Sequence, residues 1–225
     1  EKFDGFNLEF ASALPIIQLS NSLGAPIPLS ETILCNYILS ECDINPPEGM
    51  ITFANIAKNI KILGNELSGE LISVPYLNLT DKIMFITKID GVEKVVFLQN
   101  SNLDMEQKKN FLAEPRFNVS LKNNNIIEVK TLNSKINFNY LGAILRSAQM
   151  IGSMEKILNL SIDYCSQRKQ FGRPLSKFQA IQHQISEMAV ELSASSAALS
   201  TIASSEDLSK NIYDIAILKI RTGIA

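Results

Sequence analysis

One histidine and three cysteines are all that this 225-residue chain offers in the way of soft metal ligands, and no C-x-x-C or Cys/His spacing joins them. Zinc-finger and zinc-ribbon architectures are excluded on that ground, and no metal site is expected. Cys35, Cys42 and Cys165 are too few and too scattered for a disulfide framework, so a reducing, cytoplasmic setting is the expectation. No segment reaches the roughly 18 apolar residues that a membrane-spanning helix needs. No basic block or stripe exists either: 21 Lys and Arg stand against 23 Asp and Glu, a net charge of −2, which argues against nucleic acid as the main partner. Glu1-Lys-Phe-Asp-Gly lacks a basic run followed by an apolar one, so no signal peptide is read there. What the chain does have is 46% apolar residues, enough to bury a sizeable core in one large or two small domains.

Three segments differ in pattern. Residues 8 to 45 read as helical, with Leu8, Ala11, Leu14, Ile16 and Ile17 apolar before Asn21-Ser-Leu-Gly24. Ser30 is the expected N-cap of a second helix, Glu31 to about Cys42, which Pro46-Pro47-Glu-Gly49 ends. From residue 50 to 132 the pattern is that of short strands: Met50–Ala54, Leu71–Val74, Lys82–Lys88, Lys94–Leu98, Phe117–Leu121 and Ile126–Lys130. Asp90-Gly91 is a hairpin signal between two of them. Such spacing predicts a small antiparallel sheet or barrel, not alternating β-α units. From about Phe138 the period becomes helical again. Ile144, Ser147, Ile151, Met154, Leu158, Ile162 and Cys165 form one stripe; Phe178, Ile181, Ile185, Met188, Leu192, Ser195, Leu199 and Ile202 form another. Steps of three and four make these the facing seams of two long packed helices. Leu208-Ser-Lys reads as a connector to a third helix that begins at Ile212, Ile215, Ala216 and Lys219 and runs off the end at Ala225. The abrupt start and finish lead us to expect an excerpt of a longer chain.

Between the two stripes lies the most informative stretch, Tyr164 to His183. It combines a cation, a flat aromatic, a glycine and two glutamines. Taken alone, Arg-Lys-Gln-Phe-Gly-Arg-Pro also suits an ordinary helix-to-helix loop, basic at a helix C-terminus with a glycine cap. Its spacing is more specific than that. Gly152 stands twelve positions before Tyr164, and Arg168, Phe171, Gly172, Pro174, Leu175, Phe178 and Gln179 then satisfy R-x-x-F-G-x-P-[IL]-x-x-[FH]-Q.

This pattern resembles that of the acyl-CoA dehydrogenases. So does the helix–sheet–helix order, and so, more weakly, do Leu23-Gly-Ala-Pro-Ile-Pro-Leu-Ser-Glu31, Val74-Pro-Tyr and Ala113-Glu-Pro-Arg-Phe-Asn-Val-Ser-Leu121, which are similar to a shortened branch of that family. The resemblance implies an α+β, mostly α fold: partial N-terminal helices (1–49), a small middle β-domain (50–132) and an incomplete C-terminal antiparallel helical bundle (133–225). It implies a flavoprotein oxidoreductase of fatty acid metabolism that uses FAD to desaturate an acyl-CoA between Cα and Cβ, assembles as a dimer or tetramer and passes electrons to an electron-transfer flavoprotein. In the family the turn grips the FAD of a neighbouring subunit. Carried over, Arg168 binds the pyrophosphate through its planar fork of donors. Gln170 adds an amide, Phe171 and Leu175 pack against adenine or ribose, and Phe178 and Gln179 complete the set at the start of the next helix.

Two departures qualify that picture. The family's flavin loop, roughly Y-x-x-T-E-P-x-x-G-S-D, has no counterpart between Ile51 and Pro75. Nor is a catalytic base identifiable. Gly142 occupies the position where a minority of members carry their glutamate; Glu155 reads as a solvated helix residue, His183 as a packing or hydrogen-bonding group, and Arg146 as a surface cation. Three expectations therefore stand together. The chain is an acyl-CoA dehydrogenase whose base lies outside it, a non-catalytic companion that completes the FAD site of a related subunit in a hetero-oligomer, or a helical interaction protein that has lost flavin.

Overall fold

The computed structural model describes residues 10–111, 113–133, 137–205 and 211–225. The sequence expectations for Leu8 and for the Leu208–Lys210 connector fall outside them. Among the described residues there are five α-helices: α1 (Leu14–Ser22), α2 (Leu29–Glu41), α3 (Phe138–Gln167), α4 (Gln179–Ala203) and α5 (Ile212–Ile224). Helix is the larger share and sheet the smaller, an α+β arrangement. Among the described residues no helix is long and apolar enough to cross a membrane. The described residues divide into two compact units, one of residues 26–133 and one of residues 10–25, 137–205 and 211–225.

The first unit begins with α2, which buries Leu34, Cys35, Ile38 and Leu39. Its N-cap is Pro28, two residues before the expected Ser30, which is inside the helix and buried. Its end also comes before the prolines. Asp43 turns left-handed (φ 58°), its N–H bonds the Ser40 carbonyl, and Ile44 N–H reaches back to Leu39 at 2.9 Å. That is a Schellman closure, with buried Ile44 as its apolar clasp. Thr32 then ties the helix to the sheet: its hydroxyl donates to the Ile51 carbonyl at 3.0 Å and accepts from the Ile51 N–H at 3.1 Å.

Seven strands follow: β1 (Ile51–Ala54), β2 (Ile56–Leu63), β3 (Glu66–Pro75), β4 (Lys82–Ile89), β5 (Val92–Gln99), β6 (Asp104–Lys109) and β7 (Pro115–Thr131). They pair in the order β1-β4-β5-β7-β3-β2, with β6 also on β7. All pairs are antiparallel except β1 with β4. The long β7 carries the architecture. Its residues up to Asn125 pair with β3, and those from Ile126 onward pair with β5. The core collects Leu71, Val74, Phe85, Val96, Phe117 and Ile126. Asp90-Gly91 forms the hairpin turn between β4 and β5, with both residues at positive φ (51° and 79°), as a type I′ turn requires.

The second unit is helical and comprises α1, α3, α4 and α5. Pro15 opens α1 inside its first turn, and Asn137 caps α3, its Oδ1 accepting from the Asn139 and Tyr140 amides. At Gly152 the α1 backbone comes so near that a Cβ would sit 2.1 Å from the Gln18 carbonyl oxygen. The expected seams hold. Ile144, Ser147 and Ile151 of α3 and Ser195, Leu199 and Ile202 of α4 are buried, while the same stripes become half-buried or exposed toward the turn. Ile215, Leu218 and Thr222 of α5 close the buried end, where the Thr222 hydroxyl lies 3.1 Å from the Ser147 hydroxyl.

Candidate functional site: the arm between α3 and α4

Arg168 stops α3. Its backbone turns extended (φ −71°, ψ 119°) while its N–H still donates to the Tyr164 carbonyl at 2.9 Å. The chain then makes a small hairpin, β8 (Lys169–Gln170) and β9 (Arg173–Pro174), with Lys169 facing Pro174 and Gln170 facing Arg173. The Arg168 carbonyl closes the base of this arm by accepting from Leu175 N–H at 2.9 Å. A short 3₁₀ turn, Leu175–Lys177, leads into α4.

Phe171 and Gly172 form the tip at φ 51° and 81°. The geometry is that of Asp90-Gly91, two central residues of positive φ between paired strands. The chemistry differs. Asp suits the left-handed region; an aromatic side chain there costs on the order of 1–2 kcal/mol. The arm holds Phe171 there and leaves it 86% exposed. Its ring makes a T-shaped contact with Phe178, with centroids 6.3 Å apart and planes at 78°. On Phe178 itself rests Arg173, whose guanidinium carbon is 4.2 Å from the ring centroid.

The structure thus places the sequence candidates unequally. Arg168, Gln170 and Phe171 are exposed on the arm, Leu175 and Phe178 are half-buried at its base, and Gln179 is exposed as the first residue of α4. That helix starts without a side-chain cap, and Gln182 bonds the Ser176 carbonyl instead, at 2.9 Å. From Arg168 to Gln179 there are four cations and no carboxylate. Among the described residues no side chain pairs with the Arg168 guanidinium. Arg173 is the residue that sequence reading missed; five positions separate it from Phe178, a spacing with no helical or strand meaning.

The other polar candidates lie outside the arm. Glu155 is exposed on α3, and Arg146 donates to Gln149 Oε1 at 2.6 Å. His183 is exposed, and its Nε2 lies 3.3 Å from the Glu187 carboxylate one turn on, away from the packed seam. Glu114 is held by Arg116 at 2.8 Å, Asn110 at 2.6 Å and the Tyr76 hydroxyl at 3.3 Å, a clip between strand ends.

Residues 137–224 match the model of the acyl-CoA dehydrogenase C-terminal domain. Over that segment the chain is similar to the acyl-CoA dehydrogenase family. A 55-residue stretch is 42% identical to Acyl-CoA dehydrogenase IpdE2 of Mycobacterium tuberculosis, covering 24% of this chain and 17% of that protein. Among solved structures, the ChsE4-ChsE5 complex from Mycobacterium tuberculosis superposes with a TM-score of 0.83 at 16% identity, covering 98% of this chain and 67% of that one. Butyryl-CoA dehydrogenase from Megasphaera elsdenii gives 0.82 at 18% identity, covering 100% and 71%. At such identities the structural likeness is one of fold. The chain spans less than a third of the length of the curated relatives it matches.

Proposed function

We propose that this chain is the companion subunit of an acyl-CoA dehydrogenase: it lends its α3–α4 arm to the FAD of a related catalytic subunit and holds no complete flavin site itself. One observation carries the reading. The whole stretch Ile51–Pro75, where family members place their flavin loop, is spent on three strands, joined by Asn55 alone and by Gly64-Asn65. One- and two-residue connections have no spare amides or hydroxyls to wrap an isoalloxazine ring. These residues do not fit a flavin of the chain's own.

The arm does fit a dinucleotide presented from outside. An exposed guanidinium without a carboxylate partner suits a pyrophosphate, which it can meet bidentately. Phe171 offers an aromatic face to adenine or ribose, and the uncapped start of α4 adds positive potential beside Gln179. Desaturating an acyl-CoA thioester needs a hydride acceptor, which FAD supplies when bound, and a carboxylate base for the α-proton. This chain's contribution is to bind and orient. The α3 position where a minority of members carry their base is Gly142, which has no carboxyl; Glu155, Asp163 and Glu187 are exposed, and half-buried Glu191 is held by Arg221. Hetero-oligomeric assembly, with an electron-transfer flavoprotein as acceptor, follows from the same reading.

The visible spectrum of the purified protein tests it. A colourless protein that turns yellow on co-expression with a related full-length subunit is the expected result. Flavin bands from this chain alone would overturn it in favour of a self-sufficient FAD-dependent acyl-CoA dehydrogenase. Absence of colour in both cases would leave a helical interaction protein.

A further inference from the structure

Two arginines in the arm look interchangeable in sequence, but the structure gives them different surroundings. Arg168 carries a guanidinium that no described side chain holds; the Arg173 guanidinium is already committed to the face of Phe178 at 4.2 Å. Phe178 in turn makes a T-shaped contact with Phe171, which sits at positive φ beside Gly172. The result is a cluster of one cation and two perpendicular rings, spanning both sides of the turn. Among the described residues no other side-chain bond braces the tip: the remaining ties are the Gln170–Arg173 pairing and the Leu175-to-Arg168 bond, both main chain.

We propose that Arg173 is a positioning residue. Resting on Phe178, it holds the Phe171–Gly172 turn in its unfavourable conformation and so pre-forms the arm from which Arg168 reaches a pyrophosphate. The proposal rests on the donated-arm reading above and adds who does what within the arm. A ligand that meets a rigid arm loses less affinity to ordering than one that must shape a flexible loop. The cation–π contact is partly exposed, so its effect is modest, on the order of a two- to five-fold bias toward the ordered arm.

The test compares Arg173→Met, Arg173→Lys and Arg168→Ala. Methionine keeps an unbranched apolar stem and removes the charge. Two quantities are read: hydrogen exchange at the Leu175 amide in the free chain, and FAD per assembly after purification through this chain from its native host. Arg173→Met should speed Leu175 exchange by about two- to five-fold and lower FAD retention, and Arg173→Lys should recover most of both. The effect on exchange should vanish in a Phe178→Leu background, where there is no ring to rest on. Arg168→Ala should lower retention without touching exchange. Unchanged exchange in Arg173→Met overturns the positioning role. So does lowered retention with unchanged exchange, which would make Arg173 a direct ligand. If Arg168→Ala and Arg173→Met both leave FAD content unaltered while exchange responds, the donated-arm reading itself fails, and with it the purpose assigned to the brace.

Discussion

Gly152 and Gly142 lie on the same helix, ten residues apart, and the same substitution should move stability in opposite directions. A methyl group at Gly152 would sit 2.1 Å from the Gln18 carbonyl oxygen, 2.9 Å from its carbon and 3.1 Å from its Cα, all backbone atoms of the facing helix. Ordinary contact begins at 3.4 Å, so the two helices must part by more than an ångström along that line. Parting them loosens Leu14 and Ile17 from the face of α3 that carries Ala148 and Ile151, all buried. Overpacking of this kind costs about 1–3 kcal/mol, and a clash with rigid backbone belongs at the upper end. Alanine returns about 1 kcal/mol of helix propensity, leaving a net loss of about 2 kcal/mol. At Gly142 nothing lies within 4 Å of the added carbon, so Gly142→Ala should keep the propensity gain and stabilise by about 1 kcal/mol. Urea titration followed by far-UV circular dichroism reads both, with a midpoint shift of about 1 M downward for the first at a slope near 2 kcal/mol/M. Equal shifts of the same sign would refute the reasoning, because the two sites differ only in what stands opposite them. The family motif places a glycine at position 152, and this packing supplies a physical reason for it that has nothing to do with flavin.

Arg168→Ala should lower the FAD carried by the assembled oligomer while the melting transition of the chain stays within about 0.5 kcal/mol, as expected for an exposed surface residue; flavin content measured by absorbance on unfolding checks it, and full retention sinks the ligand assignment. Thr222→Val should cost about 1–2 kcal/mol, because it leaves the buried Ser147 hydroxyl without its partner at 3.1 Å, whereas Thr222→Val with Ser147→Ala should recover much of that loss; a double variant as unstable as the single one would refute the pairing. Alkaline pH should destabilise the first unit. Burial, then the Glu31 carboxylate, holds the Cys35 thiol well above its usual range; burial raises Cys42; burial, then the Glu114 carboxylate, raises Tyr76. A raised acid stays protonated in the folded chain while the unfolded chain ionises, so stability is complete below about pH 8.5 and falls as pH rises through the thiol and phenol range. Urea midpoints across that range check this, and Cys35→Ala should flatten the slope.

The strands that sequence pattern reveals are the ones with a buried face. Lys82–Ile89 and Val92–Gln99 lie within a residue or two of the predicted runs because Ile83, Phe85, Val96 and Leu98 point into the core. Two strands of the large sheet escaped. In β6 every residue is exposed, so Asp104–Lys109 carries no alternation to find, and in β2 the pattern is interrupted by an irregularity between Lys58 and Lys61. Phe117–Leu121 and Ile126–Lys130 were expected as two strands and are one. Asn123-Asn124-Asn125 reads locally as a breaker, yet β7 runs through it to change partners from β3 to β5. Tertiary pairing decided what composition alone would have cut. The N-cap shifted from Ser30 to Pro28 for a related reason: Ser30 lies on the face of α2 that is buried.

The arm shows why its residues were legible while their division of labour was not. At Asp90-Gly91 local preference and turn geometry agree, and sequence alone identifies the hairpin. At Phe171-Gly172 the chain makes the same turn against local preference, with an exposed aromatic at positive φ. Nothing in strand or turn chemistry selects phenylalanine there, so the conformation must be held by something further off. Arg173 over Phe178, with Phe171 packed perpendicular to that ring, is that hold. A sequence that breaks a local rule and then braces the break is the pattern expected of a functional site. The motif names the residues that break the rule; only the fold shows which neighbour keeps them there. Asn-Gly at the tip is the corresponding control. Phe171→Asn should satisfy the turn and dispense with the brace, so that Leu175 exchange no longer responds to Arg173→Met, while FAD retention falls for want of the ring. Retention at the level of the unmodified chain would show that Phe171 serves the turn alone and meets no ligand.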